Sequence, residues 1–178
     1  VELGMPAVAL TDHVNMFGAI EFYQQAKKAG IKPIIGQEFY VAPGSTFKKE
    51  VSRDSGEEVA YHLILLAKDN EGYRNLMKLS SIGYTEGFYY KPRIDMEVLE
   101  KHSRGLIASS ACIAGEIPVN IIKGRLKEAR EIAGRYNELF GKNNFYLELQ
   151  YHGIREQEIS NSELIRISTE LDIPLIAS

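Results

Sequence analysis

An acid and an imidazole stand side by side at Asp12-His13, and a second acid, Glu38, follows one strand–helix–strand unit later. The stretch that carries them is AVALTDHVNMFGAIEFYQQAKKAGIKPIIGQEFYV, residues 7–41. Carboxylate and imidazole together can hold a metal ion or exchange a proton. Parallel strands joined by a helix present their C-terminal ends to the same side. Asp12 and His13 are therefore expected to lie near Glu38. Plainer roles compete: Asp12 can cap a helix, and His13 can be an ordinary turn histidine. Glu38 is harder to explain by packing, because a carboxylate within Ile-Ile-Gly-Gln-Glu-Phe-Tyr-Val is costly to bury unpaired. No cation lies near it in sequence.

The elements that must position these groups follow from periodicity and breakers. Residues 7–11 form a short apolar run behind Pro6, as a buried parallel strand does. Asn15 is expected to cap a helix whose apolar stripe is Met16, Ile20, Tyr23 and Ala26, with Gly30 closing it. A strand over 34–41 follows, led in from Lys32. The stretch 42–60, APGSTFKKEVSRDSGEEVA, has no sustained apolar period and is expected to be a mobile polar loop. Further strands are expected at 61–67, 106–109, 145–150 and 174–177. Between them come a helix capped by Asp69 with Tyr73, Leu76 and Met77 on one face, and a short helix capped by Asp95. A short helix opened by Gly115, a longer one over 126–140 ended by Gly141 and one over 156–171 complete the series. In the longer one Leu126, Ala129, Ala133, Tyr136 and Phe140 share a face. Strands alternating with helices give an α/β fold with a mainly parallel sheet.

The segments TDHVNMFGAIEFYQQAKKAGIKPIIGQEFYVAP, HLILLAKDNEGYRNLMKLSS, GFYYKPRID, GLIASSACIAGEIP and FYLELQYHG run through essentially the whole chain. Together they closely resemble the PHP (polymerase and histidinol phosphatase) domain of bacterial DNA polymerase III alpha subunits. The resemblance implies a distorted β/α barrel with a metal cluster. On that resemblance His13 matches the histidine of the TDH motif, Glu38 the acid of the GxE motif and His62 the histidine of HLxLLA. Cys112 matches the position after the fourth strand. Imidazole, carboxylate and thiolate together suit zinc or a similar first-row metal such as manganese better than magnesium. The family's HxH pair and its Asp-x-His motif are absent here, and the opening Val-Glu-Leu-Gly-Met-Pro reads as the last turn of a helix. A single, partial PHP domain over 1–178 is therefore expected, lacking the first strand of the barrel, with the seventh missing or truncated as the alternative to a complete C-terminus.

Each remaining candidate has a bland rival. Cys112 can be a small buried hydrophobe, and His62 sits near the start of its strand, where position alone argues for structure. Asp12, behind the four ligand candidates, and His152, backing the ligands or facing the substrate, are the catalytic candidates. His152 stands at a strand end, which the topology favours, although the family's ligand pattern does not include it. In Tyr89-Tyr90-Lys91-Pro92-Arg93, Lys91 and Arg93 can hold a phosphate while Tyr89 and Tyr90 stack on a base. The alternative is a solvated basic turn packed by its aromatics.

The chain has 178 residues, 44% hydrophobic and 25% charged, which is ordinary globular material. A net charge of −3 supplies no global basic field for DNA or anionic lipid. One cysteine excludes an internal disulfide framework and fits a cytoplasmic protein. No apolar run approaches membrane-spanning length, and no signal peptide, Gly-rich phosphate loop, CxxC pair or nucleophile elbow is present. The resemblance implies metal-dependent phosphoesterase or 3′–5′ exonuclease-type chemistry within a replicative polymerase. Its implied partners are the remainder of the alpha subunit, DNA and a proofreading subunit. The alternatives are a catalytically silent docking module and a free-standing phosphatase of the histidinol phosphatase type.

Overall fold

The computed structural model describes residues 2–47 and 58–178. Most of the polar stretch 42–60 lies outside the described residues. The order of elements is β1 (Ala7–Leu10), α1 (Ala19–Lys28), β2 (Lys32–Val41), β3 (Tyr61–Ala67), α2 (Asn70–Thr85), α3 (Met96–Lys101), β4 (Leu106–Ser109), α4 (Glu116–Ile122), α5 (Leu126–Phe140), β5 (Phe145–Leu149), α6 (Arg155–Leu171) and β6 (Leu175–Ala177). The chain divides into two compact units. One comprises Val1–Ala60 with Ile64–Leu106, the other Tyr61–Leu63 with Ile107–Ser178.

In the first unit β1 and β2 pair in parallel, from Ala7 opposite Lys32 to Leu10 opposite Ile35. Glycines end α1 as the sequence predicts: Gly30 has φ 74°, a left-handed conformation that costs glycine little. Two expectations for α1 are corrected. Asn15 does not cap it, since its Oδ1 accepts from Phe17 N–H in a local turn and Gly18 is the N-cap. The stripe is also rotated: α1 buries Ala19 and Ala26, while Ile20 and Tyr23 stay exposed. The small alanines let the helix backbone approach the strands closely. Asp69 does cap α2, accepting from Gly72 N–H at 2.9 Å, and Asp95 caps α3 through Val98 N–H at 3.0 Å. In α2 the buried side is Gly72, Leu76, Leu79 and Gly83, with Met77 exposed.

In the second unit β4 pairs with β5 and β5 with β6, both parallel. The predicted face of α5 is the buried one: Ala129, Ala133, Tyr136 and Phe140 lie inside, joined by Ile132. Tyr136 and Phe140 stack on Phe145 of β5, with ring centroids 5.5 and 6.4 Å apart. The α/β class and parallel pairing stand as the alternating pattern predicts, within a residue or two at most boundaries. Among the described residues no helix is long and apolar enough to cross a membrane.

Candidate metal and phosphoryl site

In the first unit, His13 and Glu38 are register partners. The parallel ladder runs on past β1: Glu38 N–H donates to Asp12 O at 3.1 Å and Val14 N–H to Glu38 O at 2.9 Å. His13 Nδ1 thereby comes 2.5 Å from Glu38 Oε1. The Glu38 side chain is 9% exposed and that of His13 74%, so an anchored acid faces a reachable imidazole. The ladder demands an awkward residue next to the site: Val14 sits at φ 62°. A β-branched residue there is strained by roughly 1–2 kcal/mol. The Asp12 side chain approaches the head of α1, its Oδ2 lying 3.0 Å from where a Cβ on Gly18 would stand. It does not cap α1, whose N-cap is Gly18 with no side-chain hydrogen bond.

The second unit holds the other pair. His62 N–H donates to Ala114 O at 3.0 Å, and Gly115 N–H to Cys112 O at 2.8 Å. These bonds fold the segment after β4 against His62 and leave Cys112 Sγ 3.4 Å from His62 Nδ1. Gly115 is required for this approach, because a Cβ there would stand 2.0 Å from Ser110 O. Ala111, just before Cys112, is left-handed at φ 58°. Cys112 is half-buried rather than locked in the core.

The donor chemistry of both pairs fits a first-row cation. Nitrogen and sulfur bound to one tetrahedral zinc, at about 2.0 and 2.3 Å, stand about 3.5 Å apart. The His62–Cys112 separation already has that value. Nitrogen and oxygen ligands would stand about 3.4 Å apart, so the direct His13–Glu38 contact must open by about 1 Å to admit a cation. Among the described residues no group of three or more His, Cys, Asp or Glu side chains is arranged to hold a metal ion.

The Tyr89–Arg93 loop divides into a buried half and an open half. Ile94 extends the edge of β2, with Ile94 N–H donating to Tyr40 O and Ala42 N–H to Ile94 O at 2.9 and 2.8 Å. Arg93 is 1% exposed. Its guanidinium donates to the carbonyls of Gly87, Val59 and Thr46 at 3.3, 3.4 and 3.2 Å and lies 5.0 Å from the Tyr89 ring centroid. Burial pulls its pKa down, while Tyr89 and Asp95 push it up. The expectation that Arg93 grips a phosphate is therefore corrected: its donors are spent on buried carbonyls. Asp95 completes this network by accepting from Thr46 N–H and Oγ at 2.9 and 3.0 Å. Burial alone would raise the Asp95 carboxyl, but hydrogen bonds from Thr46 and Val98 and the Lys101 charge hold it below its ordinary value. Lys91 is exposed, with Nζ 4.2 Å above the centroid of Tyr40, two residues along the strand from Glu38. Tyr89 and Tyr90 meet edge to face at 4.6 Å, and Tyr90 is exposed with φ 58°.

Sequence reasoning missed three groups. Thr46, inside a stretch given no chemistry, is buried and anchors Arg93 and Asp95. Gln37, beside Glu38, is fully buried with neither amide atom hydrogen-bonded among the described residues. Gln157, buried in α6, holds His152. Only Gln37 carried a signal, as a polar residue inside an apolar strand.

Comparison with known proteins bears on this geometry. Residues 1–152 match the family model described as PHP domain. The chain is 55% identical over 174 residues to the DNA polymerase III subunit alpha of Borreliella burgdorferi, covering 98% of this chain and 15% of that protein. It is 48% identical over 174 residues to the Deinococcus radiodurans protein of the same name, covering 97% of this chain and 13% of the relative. The chain thus spans only about a seventh of the length of these relatives. Its fold is similar to the crystal structure of a proposed metal-dependent phosphoesterase from Bifidobacterium adolescentis, with a TM-score of 0.53 at 11% identity, covering 99% of this chain and 77% of the other.

Proposed function

The chain belongs to the PHP domain family, and from that premise we propose that it is a metal-binding, phosphoesterase-type domain of a bacterial replicative DNA polymerase. His13 and Glu38 in one unit, and His62 and Cys112 in the other, serve as metal ligands. The observation that carries the reading is the His62–Cys112 pair, whose 3.4 Å separation suits two ligands of one tetrahedral ion. Zinc or manganese is the resident metal. When bound, such a cation makes coordinated water acidic and neutralises charge on phosphoryl oxygens. The protein's own groups do the rest. Glu38, anchored by the β1–β2 ladder, and its register partner His13 flank the position such a cation would take. Lys91, braced on Tyr40, attracts a phosphate, and the exposed Tyr90 offers a face to a base. The domain acts in the cytoplasm alongside the remainder of the polymerase chain, DNA and a proofreading subunit.

A catalytically silent docking module is the competing reading, favoured by the lack of a three-ligand group among the described residues. Metal analysis of the full-length chain separates the two. His13→Ala, Glu38→Gln and Cys112→Ser should each lower bound metal by at least about half, and hydrolysis of a chromogenic phosphodiester with it, while primer extension survives. Unchanged metal content in all three variants would leave the silent module standing.

A further inference from the structure

In the second unit the chain leaves β5 through Tyr151-His152-Gly153 and enters α6 at Arg155. One side chain governs this exit. Gln157, 3% exposed in the first turn of α6, accepts from His152 N–H at 2.7 Å through Oε1. Its other amide atom, Nε2, lies 2.9 Å from His152 Nδ1. Together these contacts fix where the ring proton sits. A backbone N–H can only donate, so the atom facing it is the amide oxygen and the remaining amide atom is the NH₂. That NH₂ can only donate, so Nδ1 accepts and the neutral ring carries its proton on Nε2.

The clamp is reinforced one turn further on. Asn161 donates to Gln150 O at 2.8 Å, so one face of α6 holds both sides of the exit. Gln157 and Asn161 also line a small cavity of about 10 Å³ whose wall includes Cys112. Satisfying the His152 N–H needs only an acceptor. A second contact that orders the ring goes beyond what capping requires.

We infer that Gln157 is a positioning residue that fixes His152 as the Nε2–H tautomer and presents that N–H, at an exposed position, as a hydrogen-bond donor to a phosphoryl oxygen. The tautomer stands on the geometry alone; the phosphoryl ligand rests on the function proposed above. The test is nitrogen NMR at pH 8 on full-length chain carrying ¹⁵N-histidine, with His152 assigned by its loss in His152→Asn. The wild type should show protonated Nε2 and bare Nδ1. Gln157→Glu keeps the acceptor for His152 N–H but sets a second acceptor against Nδ1, so the ring proton should move to Nδ1. In the same variant kcat for a chromogenic phosphodiester should fall about 10²-fold, with KM little changed. A bare Nε2 in the wild type, or an unchanged pattern in Gln157→Glu, would overturn the positioning role. A shifted tautomer with wild-type hydrolysis would overturn the donor role. If the wild type neither binds metal nor hydrolyses phosphodiesters, the proposed function fails, while the wild-type NMR pattern still decides the part played by Gln157.

Discussion

Replacing Arg93 by methionine separates a structural pin from a phosphate ligand. The guanidinium makes three long hydrogen bonds to carbonyls, at 3.2–3.4 Å, each worth about 1 kcal/mol net. Its cation–π contact with Tyr89 adds about 0.5–1 kcal/mol. Methionine fills similar volume and removes a desolvated charge, which offsets about 1 kcal/mol. The net loss should be about 2–3 kcal/mol. With a urea m-value of about 2 kcal/mol/M, the unfolding midpoint should fall by about 1–1.5 M. Arg93→Lys should lose nearly as much, because one compact ammonium cannot serve three divergent carbonyls. A surface phosphate ligand predicts the reverse: unchanged stability and weakened binding of nucleic acid. A midpoint within about 0.2 M of wild type in both variants would refute the buried-pin argument.

Two further outcomes follow from buried polar groups. Gln37→Leu should raise stability by about 1–3 kcal/mol in a denaturant titration, because it removes two buried amide atoms without hydrogen-bond partners among the described residues; a loss of stability would mean the amide is satisfied after all. The lowered carboxyl of Asp95 should contribute stability that is full above its unfolded pKa of about 3.9 and is lost as pH falls through its lower native value. Melting curves recorded from neutral pH down into that range should show this loss in wild type and its reduction in Asp95→Asn; parallel profiles would contradict it.

Most of the fold was legible because its signals are local. The apolar run Tyr61–Ala67, the caps Asp69 and Asp95 and the closing glycines Gly30 and Gly141 each act within a few residues of where they stand. The pairing of His13 with Glu38 was legible as well. A strand–helix–strand unit fixes which strand ends meet, and the β1–β2 register carries straight through to that pair. The family motifs named His62 and Cys112, whereas their 3.4 Å contact depends on the close backbone approach at Gly115. What sequence left open were side-chain environments set by distant residues. Arg93 and Lys91 look alike in Tyr-Tyr-Lys-Pro-Arg. Which is buried depends on carbonyls at Thr46 and Val59, more than thirty positions away, and on the ring of Tyr40. The stripe expected for α1 was misplaced for a related reason. Ile20 and Tyr23 set its apolar pattern, but the sheet accepts the alanine face because only small side chains let two backbones approach. Burial is a property of contacts across the fold, and tertiary structure alone decides it.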